Sequence, residues 1–384
     1  MVRFLTAGES HGPGLTAIIE GLPAGLPIDP ELINAELAQR QKGAGRGGRM
    51  RIETDQVIIT SGLRFGYTLG SPLCLTIHNR DWVNWERTMN PLPVENQPEP
   101  VTQPRPGHAD LAGVLKYGFT DCRNVLERAS ARETAARVAV GAVAKQLLAQ
   151  FGIVVASQVI RIGTVETSLR LGDPSEIELV RRSPVACLDH QAAERMVEEI
   201  TEAGQAGDTL GGIFEVVAWG VPPGLGSHVH WDRRLDTRLA AALMSIPAIK
   251  GVEIGTGFAL AGLRGSAAHD PICYASETGY YRTSNHAGGL EGGITNGMPL
   301  RMTAAMKPIP TLMKPLDSVD IKTKEVVAAN RERSDVTAVP AAAVVGEAMV
   351  AWIIAEAFAE KFGADQLSEM KAAYERYLEV LRRG

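Results

Sequence analysis

Thr134-Ala135-Ala136-Arg137-Val138-Ala139-Val140-Gly141-Ala142-Val143 is the stretch whose reading decides the fold. Its side chains are almost all small and apolar, with no polar stripe wide enough to face water. A helix of this composition needs close neighbours on most of its sides, so it belongs at the centre of the molecule. Just ahead of it, Ser130-Ala131-Arg132-Glu133 reads as a capping box, with Ser130 accepting from the first turn and Glu133 reaching back. A buried helix N-terminus carrying Arg132 is also a natural seat for an anion. The C-terminal third repeats the theme. Arg333-Ser334-Asp335 leads into an apolar, Ala-rich run at 336–358 interrupted only by Gly346. That run holds Glu347, Glu356 and a proline, and reads as a buried helix, not a membrane span. Two such helices point to a helical layer between sheets in an α+β fold.

The strands sit around these helices. A turn ending in Thr-x-Gly runs into an apolar strand at Thr68-Leu69-Gly70, Thr209-Leu210-Gly211 and Thr295-Asn296-Gly297. The strands that follow partly alternate, as expected of sheets with one covered face. This repetition hints at internal duplication. A further strand is expected at 15–23, and a helix from Pro30 to about Gln41 with Asp29 as its N-cap. The middle segment, 153–207, reads as more exposed, with an amphipathic helix near 191–203. The tail from Ala364 spaces Leu367, Met370, Tyr374, Tyr377 and Leu381 as a packing stripe, with subunit contact as the alternative.

With 45% hydrophobic and 22% charged residues in 384, the chain can bury a large core. A net charge of −5 argues against a general nucleic-acid binder, so any anion site must be local. Cys74, Cys122, Cys187 and Cys273 show no zinc spacing and read as free thiols of a reducing compartment. The first residues reach Gly8-Glu9 too soon for a secretory segment. A cytoplasmic protein with no membrane or nucleic-acid partner is the expectation.

Five stretches carry chemistry. Gly8-Glu9-Ser10-His11-Gly12-Pro13-Gly14 sets a hydroxyl, an imidazole and a carboxylate in a turn, and His11 there is a candidate proton donor or acceptor. Arg40, Lys42, Arg46, Arg49 and Arg51 are interleaved with glycines, a local cationic patch suited to phosphate or carboxylate. Arg105-Pro106-Gly107-His108-Ala109-Asp110 is a second Gly-His turn, with Asp110 placed to orient the ring. The Gly-rich run 285–297 lets a flat or phosphorylated ligand approach the backbone but lacks the P-loop Lys and a dinucleotide fingerprint. Lys307-Pro308-Ile309-Pro310-Thr311 adds a cation and a hydroxyl on a stiff turn. Between them, 81–104 holds Trp82, Trp85 and several prolines, and both a lid and a packing loop fit it. His228 and His230 form a bare H-x-H without a third ligand and read as a turn.

In order and spacing, these motifs together with 130–134 and Arg333-Ser334-Asp335 resemble the chorismate synthase family, over about 4–362 and as one domain spanning 1–384. The resemblance implies elimination of phosphate from 5-enolpyruvylshikimate 3-phosphate, with reduced FMN required and no net redox change. It implies a helical layer between two antiparallel four-stranded sheets, internally pseudo-duplicated, and a homotetramer. It matches His11 to the acid for the departing phosphate, His108 to a histidine serving the flavin, and Asp335 with Ser10 to the group aiding loss of the ring hydrogen. Substrate contacts are expected from Arg40, Arg46, Arg49, Arg105, Arg132 and Arg333. FMN contacts are expected from Ser130, Ala131, Arg132, Gly292, Met306, Lys307, Thr311, Arg333 and Ser334. No separate reductase domain is visible, so an external flavin reductant is expected. A flavin oxidoreductase consuming NAD(P)H and an RNA-binding module built on the arginine loop are the competing classes.

Overall fold

The computed structural model describes residues 2–47, 54–276, 279–332 and 334–383. Arg49, Arg51 and Arg333 lie outside the described residues. At the centre, the helix Thr134–Ala149 packs along the helix Val339–Phe362, and both are buried over most of their length. The small residues explain the close approach: a Cβ on Gly141 would stand 2.3 Å from that of Ala348. The second helix continues unbroken through Gly346, where a Cβ would stand 2.5 Å from the Phe214 ring. The 339–362 helix is long and apolar enough to cross a membrane, but here it is a core helix.

One sheet has the order Arg3–Ala7, Gly14–Glu20, Leu73–His78, Val57–Ser61, with every neighbour antiparallel. Its Leu73, Leu75 and Ile77 are buried, and the sheet packs on the 134–149 helix through its two inner strands. The other sheet runs Ile249–Ile254, Leu300–Met306, Gly212–Trp219, Val154–Ile162, Val165–Glu166, again antiparallel, and packs on the 339–362 helix. It has five strands where four were expected. The fifth is a two-residue strand formed as the chain turns back after Ile162 through Gly163 and Thr164. Leu300, Met302, Ala304 and Met306 alternate inward as the pattern predicted.

Two further expectations are corrected. The segment after 153 opens with a buried strand, because its polar side chains find buried partners: Ser157 Oγ donates to Glu347 at 2.9 Å and Gln158 Nε2 to Glu215 at 2.7 Å. At the start of the central helix only half the capping box forms. Ser130 Oγ accepts from Arg132 N at 3.3 Å, while Glu133 turns forward to Arg137 one helical turn on. The intervening residues Ala131–Glu133 take a 3-10 turn. Asp29 caps the helix Pro30–Gln41 as expected, accepting from Glu31 N.

Candidate active site

The N-terminal end of the central helix, the two Gly-His turns and the start of the second long helix border one cavity of about 530 Å³. That volume lies within the usual range of small-molecule sites, roughly 300–1,000 Å³. Of the expected site residues, Ser10, His11, Arg40, Arg46, Arg105, His108, Ser130, Ala131, Arg132, Met306, Lys307, Thr311, Ser334 and Asp335 all line it. Gly292 does not: it turns the hairpin between Leu290–Glu291 and Ile294–Thr295, away from the cavity.

The first Gly-His turn is held from two sides. Asn79 Nδ2 donates to the carbonyls of Glu9, Ser10 and Gly12, and Ser10 N donates to Glu127 O at 3.0 Å. His11 N donates to Glu127 Oε2 at 2.9 Å, and the His11 ring meets the same carboxylate through Nδ1 at 2.9 and 3.0 Å. Trp85 stacks on the His11 ring with centroids 3.9 Å apart. Ser130 Oγ lies 3.1 Å from Ser10 Oγ. Burial pushes the Glu127 carboxyl up, but the hydrogen bonds from His11 and the charge of Arg123 outweigh it and hold the group below its ordinary value. Glu127 is therefore a carboxylate, and a hydrogen bond from Nδ1–H to it leaves Nε2 as the ring nitrogen for a ligand.

The second turn is built on its own aspartate. His108 Nδ1 lies 2.5 Å from Asp110 Oδ1, and Arg105 donates from Nε to Asp110 Oδ2 at 2.9 Å and from Nη1 to Thr311 Oγ1 at 3.0 Å. Burial raises the Asp110 carboxyl, yet hydrogen bonds from His108 and Arg105 bring it far below the usual carboxylate range. Arg105 braces the second turn: its donors meet Asp110 and Thr311, and Asp110 in turn holds the ring of His108. Lys307 Nζ donates to Gly107 O, tying this turn to the segment at 306–311.

Three further guanidiniums line the cavity. Arg40 Nη2 reaches Asp55 at 2.9 Å and Arg132 Nη1 reaches the same carboxylate at 2.6 Å, so two guanidiniums share one anion. Burial, with Arg132 and Arg46 nearby, pushes the Arg40 guanidinium down to about 10 despite Asp55. It stays charged at neutral pH, and its Nε is buried without a partner. Arg46 Nη1 meets Asp335 Oδ2 at 2.7 Å, while Gly47 N donates to Asp335 Oδ1 at 2.6 Å. Three guanidiniums lining one cavity favour a ligand with several negative charges.

Glu127, Asp55, Asn79 and the stacking role of Trp85 were not read from the sequence. Asp55 had a faint signal as an acid just past the arginine run. Glu127 had only its place four residues after Arg123, on the helix Arg123–Ala129 that ends at Ser130.

Comparison with known proteins agrees over the whole chain. Residues 2–359 match the family model described as chorismate synthase. The chain is 60% identical over 384 residues to a chorismate synthase of Moorella thermoacetica, covering 99% of this chain and 100% of that one. It is 58% identical to one of Desulforamulus reducens, covering 100% of both. A solved structure titled Crystal Structure of Chorismate Synthase matches with a TM-score of 0.81 at 46% identity, covering 100% of this chain and 99% of that one.

Proposed function

Since this chain belongs to the chorismate synthase family, we propose that the cavity between its two Gly-His turns is where the family's reaction runs. The protein is a carbon–oxygen lyase of the shikimate pathway, eliminating phosphate from 5-enolpyruvylshikimate 3-phosphate to give chorismate for aromatic amino acid biosynthesis. The residues fit a second anionic ligand beside the substrate. The orphaned Nε of Arg40 calls for an acceptor, and Lys307 and the N-terminal end of the central helix offer phosphate donors. Ala338, Ala341, Ala342 and Val345 give a smooth apolar wall that admits a planar ring.

Reduced FMN would be held by Ser130, Ala131, Met306, Lys307, Thr311 and Ser334, and when bound would supply a transient source of electron density for an elimination without net redox change. Arg40, Arg46 and Arg132 hold the substrate's phosphate and carboxylates. His11 gives a proton from Nε2 to the leaving phosphate while Glu127 keeps Nδ1. His108, fixed by Asp110, itself held by Arg105, would offer its other ring nitrogen to the flavin. Asp335, anchored by Arg46 and the backbone of Gly47, acts with Ser10 where the C6 hydrogen departs. The arrangement of the helical layer and the repeated strand entries support a pseudo-duplicated sandwich. A homotetramer in the cytoplasm, supplied with reduced flavin by an external reductant, completes the reading.

The observation that carries this proposal is that both histidines border one cavity, each with Nδ1 on a buried carboxylate. The test is anaerobic turnover of 5-enolpyruvylshikimate 3-phosphate. Phosphate and chorismate should appear in equal amounts with pre-reduced FMN and not with oxidised FMN. Phosphate release that is indifferent to the flavin's state, or that consumes it stoichiometrically, contradicts the proposal.

A further inference from the structure

Four side chains from three separate elements close a cycle around the first histidine. The His11 ring meets Glu127 at 2.9 Å; Glu127 Oε1 accepts from Arg123 Nη1 at 2.8 Å; Arg123 lies over the Trp85 ring at 5.0 Å; and Trp85 stacks back on His11. Trp85 is itself pinned, its Nε1 donating to Asp81 Oδ2 at 3.1 Å just after the 3-10 turn Arg80–Asn84. Glu127 is 2% exposed, so its charge is carried in the interior, where it must be fully partnered. Besides Arg123 on its own helix, Glu127 meets His11 at both the backbone N and the ring. The acid serves the turn.

We infer that Glu127 is a positioning residue for the reaction: it fixes the tautomer and the orientation of His11, with Trp85 as the wall that stops the ring from swinging. The inference rests on the assignment of His11 as the proton donor. A carboxylate on Nδ1 keeps the proton there, so Nε2 is the nitrogen that exchanges a proton with a ligand. A flat indole on one face removes the ring's freedom to rotate about its side-chain torsion. Among the described residues, the charged groups near the ring include Glu127 and, behind it, Arg123 on the helix, and Asp81 beside Trp85; Glu332 in turn lies 3.6 Å from Arg123.

The experiment compares wild type, E127Q, E127D, H11N and the H11N/E127Q double variant by steady-state turnover with pre-reduced FMN, and the same proteins together with H108N by proton NMR of the imidazole region. E127Q should lower kcat by about 10- to 100-fold, part of the 10²–10⁴ that a positioned acid supplies, with KM within about threefold. E127D should recover part of that loss. The double variant should be no slower than H11N, because the two residues act as one unit. Of the far-downfield imidazole protons bonded to carboxylates, the one that persists in H108N should be present in wild type and lost in both H11N and E127Q. Survival of that resonance in E127Q, or losses that multiply in the double variant, would overturn the inference. If the resonance vanishes in E127Q while H11N turns over like wild type, the clamp stands and the acid role of His11 falls.

Discussion

The two Gly-His turns solve one problem by opposite means. His108 meets its carboxylate two residues along the chain, at Asp110, whereas His11 meets Glu127 across a sequence separation of 116. The local pair is a property of its own loop, steadied by Arg105 and Thr311. The distant pair exists only when the N-terminal sheet and the helix Arg123–Ala129 have docked. One carboxylate comes from the histidine's own loop and the other from a separate helix, so damage to packing should reach His11 first.

The largest effect should come from the rings themselves. His11→Ala and His108→Ala should each lower turnover by about 10²–10⁴-fold in a protein that stays folded by circular dichroism. A smaller loss is expected in D110N, on the order of 10-fold to 100-fold in kcat, since the ring keeps Arg105 and its own loop around it. Equal losses in D110N and in His108→Ala would mean that the aspartate does more than orient. Smaller again, replacing Trp85 by Leu should cost roughly threefold to tenfold in kcat, with His108-dependent steps untouched, by freeing only the outer face of the first ring.

Acid sensitivity gives the finest contrast. Glu127 and Asp110 both lie below their ordinary values in the folded protein. Each contributes stability that is complete above its unfolded value, near pH ~4, and is lost as pH falls through the folded value. Asp110 is displaced further, so its contribution persists to lower pH. Urea midpoints measured from neutral pH downward should decline less steeply in D110N and E127Q than in wild type. In D110N that flattening should extend to the lower pH. Unchanged slopes would contradict the ion-paired state of these carboxylates.

What was legible in the sequence follows the same division. The Ala-rich helices, the Asp29 cap and the inward alternation of Leu300–Met306 are local patterns, and the structure keeps them. So is the orientation of His108 by Asp110. Pairings made by tertiary packing were not legible: Asp55 with Arg132 spans 77 residues, and the segment 153–207 read as more exposed because Glu347 and Glu215, the buried partners of Ser157 and Gln158, are remote in sequence. The fifth strand depended on a single turn at Gly163-Thr164, too short for any periodicity to announce.

The most direct test of the central claim is a single-turnover, anaerobic rapid-quench measurement of phosphate release with pre-reduced FMN, comparing wild type with His11→Ala at saturating substrate. Release should slow by about 10²–10⁴-fold in the variant while substrate affinity stays within a few-fold. Release at the wild-type rate would show that the departing phosphate takes its proton from elsewhere.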